Sequence, residues 1–199
     1  MAYSWVVCTL LFFAWLSPNR GLSQQSRQDQ ERWQASVEAL ANQEYKKAET
    51  MLHAWTQDFP LDEKAWFNLA VAFERQKKHQ EAMDAFEKVL QIKADFPGIY
   101  RYLGLMALRQ GMHEAATRHF KQAVEQEPHR FEPWFYLGSL YLESRQMDSC
   151  EWALQKALAI NKGTPSVWLE MARLKRRTGN MQAAARMLAQ ARSNAPAYL

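Results

Sequence analysis

Two apolar rhythms divide the chain. From Trp5 to Leu16 the residues WVVCTLLFFAWL form a nearly unbroken apolar run, interrupted only weakly by Cys8 and Thr9. From Asp29 onward, apolar residues fall three or four apart in paired stretches, the spacing of amphipathic helices rather than of alternating strands. Breaks come in the middle of each pair, as at Gly111 and Gly179, and between pairs, as at Thr164-Pro165. A glycine suits a helix C-terminus, and a hydroxyl followed by proline suits a helix start.

The pairs repeat with a fixed period. Laid in rows of 34 residues from Asp29, Glu63, Pro97, Phe131 and Pro165, the chain aligns the same chemistry in columns. The fourth column reads Arg32, Trp66, Tyr100, Trp134 and Trp168, and the seventh Ala35, Leu69, Leu103, Leu137 and Met171. The eighth is always small (Ser36, Ala70, Gly104, Gly138, Ala172), as is the twentieth (Ala48, Ala82, Ala116, Cys150, Ala184). Leu52, Phe86, Phe120 and Leu154 follow in the twenty-fourth. Such a period predicts a repeat architecture in which no helix pair buries its apolar side alone, so neighbours stack. The small columns are expected where the two helices of a unit cross closely, and the aromatic fourth column in the core.

An aromatic, then Leu-Gly, Tyr, Ala, Phe, Ala and Pro at these offsets resembles the tetratricopeptide repeat family, most fully in Tyr100, Leu103, Gly104, Ala116, Phe120, Ala123 and Pro128. The resemblance implies an all-α, right-handed α-solenoid of about five 34-residue helix-turn-helix repeats, at 29–62, 63–96, 97–130, 131–164 and 165–198. They follow a leader at 1–23 and a short linker at 24–28. It also implies a concave groove lined by the first helices, with Phe67, Asn68, Arg101, Tyr102, Arg109, Phe135, Tyr136, Arg173 and Arg176 as the partner-binding residues. The aromatic members would take apolar side chains and the arginines acidic groups. Chaperone-binding relatives carry Lys and Asn at the fifth and ninth columns; Phe67 and Val71, or Arg101 and Leu105, stand there instead, so a chaperone-tail receptor is not expected. Such arrays usually end in an extra polar helix, and only Ala197, Tyr198 and Leu199 follow Pro196. An apolar edge on the last unit is therefore expected, with a homo-oligomer as one way to cover it.

The leader is shorter than the roughly 20 apolar residues that span a bilayer, and suits the apolar core of a secretory signal. Gly21-Leu22-Ser23 offers a cut before Gln24, although no Lys or Arg precedes the run. The expectation is an exported, periplasmic or otherwise extracytoplasmic chain. Its alternative is a membrane-anchored one that keeps residues 1–18. Among bacterial relatives the layout is similar to envelope and pilus assembly factors.

Composition narrows the chemistry. The chain has 199 residues, 48% of them apolar, enough for a core, and a formal charge of only +4, too small to require nucleic acid. That charge is unevenly spread: the first row nets −4 and the stretch from Pro165 nets +5. Two cysteines make neither a disulfide framework nor a thiolate zinc site. His113 and His119 are six residues apart, about 600° of helical turn, so they do not form the two-histidine face of a zinc protease. Neither a phosphate loop nor a nucleophile with a base appears. A non-catalytic protein with no cofactor or metal, binding another protein, is the expected function.

Overall fold

The structure, a computed structural model, describes residues 18–195, with side chains from residue 24 on. The apolar run of the leader and the last four residues lie outside that range. Among the described residues there are ten α-helices and no strands. They are α1 (Pro18–Ala41), α2 (Tyr45–Asp58), α3 (Glu63–Arg75), α4 (His79–Ile92) and α5 (Ile99–Arg109). After these come α6 (His113–Gln126), α7 (Phe131–Glu143), α8 (Met147–Ile160), α9 (Pro165–Arg177) and α10 (Met181–Asn194). Each expected row of 34 thus holds one helix pair. The chain divides into two compact units, residues up to Ala85 and residues from Phe86 on, with the boundary inside α4.

Residues 24–28, expected as a linker, are instead helical, because α1 starts at Pro18 and runs straight into the first row. The physical reason is local. Gln24 to Gln30 contains neither Gly nor Pro, and Gln25 Nε2 donates to Asp29 Oδ1 one turn later, at 3.2 Å.

In the first unit, Leu52, Leu69, Ala48 and Ala72 form a core against which Trp33, Trp66 and Phe73 pack. Asp62 ties two helices together there. Its Oδ1 caps α3 by accepting from the Lys64 and Ala65 amides (3.0 and 3.1 Å), while its Oδ2 accepts from Trp55 Nε1 (2.9 Å). Glu49 on α2 accepts from Lys78 Nζ and Gln76 Nε2, both at 2.7 Å. Burial alone would raise the Glu49 carboxyl, but these donors outweigh it and hold the group below the usual carboxylate range.

In the second unit the close helix crossings stand where the small columns put them. A Cβ on Gly104 would lie 2.8 Å from the Phe120 ring, and one on Gly138 would lie 2.5 Å from Leu154 Cδ2. Rings then join consecutive repeats: Phe86 stacks on Tyr102 with centroids 5.1 Å apart, and Phe120 on Tyr136 at 5.0 Å. Lys175 reaches back from α9 to Glu151 on α8 (2.5 Å), and Arg177 donates to the Leu142 carbonyl on α7.

Two expectations need correction. The fourth-column aromatics are not all core: Trp134 is buried, whereas Trp66, Tyr100 and Trp168 are half-buried. All three indoles donate Nε1–H to the carbonyl six residues earlier, Trp66 to Pro60, Trp134 to Pro128 and Trp168 to Lys162, all at 2.9 Å, and Trp134 is covered in addition by the Trp152 ring at 4.8 Å, edge to face. Thr164 does occupy the position before α9, but its side chain makes no capping bond; Asn180 caps α10 instead, accepting from the Ala183 amide at 2.9 Å.

One half-buried group makes stability pH-dependent. His119 lies near the Tyr100 ring, and burial, helped by the Arg118 charge, holds it below its ordinary value of 6.5. The folded chain keeps the ring neutral while the unfolded chain takes up a proton, so this stability is present above 6.5 and is lost as the pH falls below it. The urea midpoint is expected to drop between about pH 7.5 and about pH 5.5, and His119→Phe should remove that part of the drop.

Candidate functional site

The free face of the first helices follows from what they bury. In α5 the buried residues include Ile99, Leu103 and Met106, in α7 Leu137 and Leu140, and in α9 Val167, Met171 and Leu174. At 100° per residue the opposite side of each helix is centred on the fifth and ninth columns. The fifth column carries Arg101, Phe135 and Leu169. The ninth carries Leu105, Ser139 and Arg173.

The second unit holds most of the residues expected from the sequence. Arg101 lays its guanidinium on the Tyr102 ring, 4.4 Å from the centroid, and its Nε is buried without a hydrogen-bond partner. Gly98 admits that arrangement. It caps α5 at φ +73°, and a Cβ there would meet Glu127 Oε2 at 3.3 Å and Arg101 Nη2 at 3.4 Å. Phe135 is half-buried between Phe131 (5.9 Å, near-parallel) and Tyr136 (5.7 Å, tilted). Tyr102 and Tyr136 each give one face to the preceding repeat, so they form the floor rather than the walls.

The cationic end is already partly paired. Arg173 donates to Glu170 Oε1 on its own helix at 2.7 Å, while both it and Arg176 are exposed. Arg109 is exposed on the last turn of α5. Phe67 and Asn68 are half-buried on α3, in the other unit.

Leu169, which shares the fifth column with Phe67, Arg101 and Phe135, is 43% exposed. One feature was missed in the sequence. A cleft of about 440 Å³ lies between α6 and α7, bordered by Thr117, Arg118, Leu140 and Ser144, with His113 Nδ1 2.9 Å from Glu143 Oε2 at its side. The pairing of His113 with a residue of the following row has no local sequence signal.

Burial, helped by Glu170 and Glu151, pushes the Cys150 thiol up to about 12, so it stays protonated. Among the described residues no three His, Cys, Asp or Glu side chains gather as a metal site.

Comparison with known proteins agrees with the fold. Residues 29–98 and 103–163 match the family model described as tetratricopeptide repeat. The chain is 23% identical over 111 residues to anaphase-promoting complex subunit 3 of Schizosaccharomyces pombe, which covers 56% of the chain and 17% of that protein. It is 27% identical over 97 residues to the cell division cycle protein 27 homolog of Caenorhabditis elegans, 49% of the chain and 12% of that protein. It therefore spans less than a fifth of the length of either relative. Among solved structures, MamA from Desulfovibrio magneticus RS-1 superposes with a TM-score of 0.78 at 17% identity, over 83% of this chain and 94% of that one. YrrB, described as a TPR protein with an unusual peptide-binding site, gives 0.74 at 16% identity, over 82% and 84%.

Proposed function

The chain belongs to the tetratricopeptide repeat family, and from that premise we propose that it is an exported, non-catalytic scaffold holding a segment of another protein along the first helices of its second unit. The observation that carries the reading is the column Arg101, Phe135, Leu169: a guanidinium with no ion pair among the described residues, a half-buried ring and an exposed leucine, at the same position of successive first helices. A peptide-binding site in a relative of the same fold, YrrB, supports it by analogy. Export rests on the apolar run Trp5–Leu16 and the small residues Gly21 and Ser23, and a role in assembling envelope or pilus complexes rests on export.

The test is a photocrosslinking residue at position 135 in the full chain, followed by mass spectrometry of what it captures. The same partner should be captured when the probe is at position 169 and not at a site on the outer side of α8. Capture without that preference would overturn the groove. Reversing Arg173 and Arg176 to Glu together should weaken pull-down of the captured partner at low salt about tenfold or more. An unchanged yield would remove the cationic end from the reading. A first residue of Gln24 in the mature chain would support export with cleavage, and retention of residues 1–18 a tethered form.

A second reading has one observation in its favour. On α10 Met181 and Leu188 are 62% and 51% exposed, although residues in Leu188's column in the other rows (Leu52, Phe86, Phe120, Leu154) are fully buried. A second copy covering that face would make the chain a self-assembling structural subunit. Sedimentation across a dilution series distinguishes this: a monomer at every concentration rules it out, and an oligomer that Leu188→Asp disperses supports it.

A further inference from the structure

Resting on the groove reading above, we infer the conformation and sequence pattern of the segment that the second unit takes: a polyproline-II stretch with an acidic residue and two apolar residues at three-residue intervals. The argument starts from spacing. Arg101, Phe135 and Leu169 are separated by one full repeat each, so they sit on successive first helices of the array, and neighbouring packed helices are about 8–10 Å apart. A bound segment must therefore present one side chain to the same face roughly every 9 Å.

The regular conformations differ in how they meet that demand. A β-strand returns to one face every second residue, about 6.6 Å, and overshoots at the fourth, about 13 Å. A polyproline-II helix has three residues per turn and rises about 9.3 Å in doing so, which matches the helix spacing with one side chain per repeat. An α-helix matches only at its seventh residue, about 10.5 Å, and its diameter of about 10–12 Å needs a wide apolar trough. The face here carries rings instead: Tyr102 under the Arg101 guanidinium, and Phe135 tilted against Tyr136 at 5.7 Å with Phe131 stacked on it at 5.9 Å. Aromatic-lined grooves suit a segment whose backbone is already extended and loses little entropy on binding.

Chemistry then sets the order. Among the described residues Arg101 makes no ion pair and its guanidinium is oriented by the Tyr102 ring, while Glu127, which pairs with Arg130 through Oε1, holds its other oxygen buried and without a hydrogen-bond partner across Gly98 from Arg101. That site takes a carboxylate. Phe135 and Leu169 offer carbon only, so the two following contacts are apolar. Beyond Leu169 the exposed Arg173 and Arg176 favour a second acidic residue over a basic one.

Panning a random dodecapeptide display library on the immobilised full chain tests this. The expected enrichment is acidic-x-x-apolar-x-x-apolar, in either chain direction, with proline common at the intervening positions. On the Arg101→Gln chain the acidic preference should vanish while the apolar spacing stays. On the Leu169→Lys chain the third position should change from apolar to acidic, with binding of the original peptides about tenfold weaker. Such a change of preference separates recognition from loss of fold. Enrichment at a seven-residue interval, selection indifferent to both substitutions, or no enriched peptide would each overturn the inference. The crosslink from position 135 is read independently, so a captured partner lacking this pattern would leave the groove standing and remove only the register.

Discussion

A Gly138→Leu variant is expected to lose about 3 kcal/mol or more of stability, with its urea midpoint falling accordingly. The Cβ position of Gly138 is already 2.5 Å from Leu154 Cδ2 and 2.7 Å from its Cγ, both inside contact distance, and Leu154 is fully buried. Even alanine has to displace that side chain. An ordinary helix-interior Gly→Ala change gains about 1 kcal/mol, so a net loss at Gly138 would isolate the steric cost. The decisive measurement is a double-mutant cycle. Leu154→Ala alone should cost about 2–5 kcal/mol as a cavity opens, and adding Gly138→Ala should recover part of it because the new methyl group has room. Gly104 offers a parallel case, and a stiffer one: Phe120 cannot retreat easily from a Cβ at 2.8 Å because Tyr136 is stacked on its ring. Additivity within about 0.5 kcal/mol in both cycles would refute the close crossing as the lock between the paired helices.

That lock was legible in the sequence, because an invariant small column has few physical causes other than close approach. Helix count and pairing were legible for the same reason: a period of 34 fixes them once the break positions are seen. The margins were not. Residues 24–28 are the stretch between the candidate cut before Gln24 and the first row at Asp29; they carry no Gly or Pro to mark a boundary, and α1 runs through them. Trp66, Trp134 and Trp168 all bond to the carbonyl six residues earlier, and only Trp134, with the Trp152 ring against it, is buried, a difference that spacing alone does not announce. In the groove the column pattern aligns Leu169 with Phe67, Arg101 and Phe135, but its exposure depends on what the neighbouring helices leave uncovered, which spacing alone does not give. Arg173 shows the converse: Glu170 three residues earlier is within reach of it on any helix.

Replacing Gln43, Lys77 and Arg145 together by glycine is expected to stabilise the chain by about 1.5–3 kcal/mol, a rise in melting temperature of about 3–12 °C. All three occupy the fifteenth column, where the two helices of a unit turn, and so do Gly111 and Gly179. The backbone is left-handed at every one of the five, with φ between 59° and 80°. The same bond closes each turn: the amide of the next residue donates to a carbonyl five positions back, as from Glu44 to Ala39 (2.8 Å), Lys78 to Phe73 (3.0 Å) and Gln146 to Tyr141 (2.8 Å). Because that bond recurs whichever residue is present, the turn is imposed by the helix pair, and a residue with a Cβ there carries about 1–2 kcal/mol of strain. Glycine removes the strain and gives back about 0.5–1 kcal/mol in unfolded-chain entropy, leaving a net gain of about 0.5–1 kcal/mol per turn. Gln43, Lys77 and Arg145 are exposed, so little packing is lost with their side chains. Alanine at the same positions keeps the Cβ and should bring no comparable gain, while Gly111→Lys and Gly179→Lys should each cost what the glycine replacements return. Equal melting temperatures for the glycine and alanine triple variants would mean that the turns relax freely around a side chain, and the strain assigned to this column would then be absent.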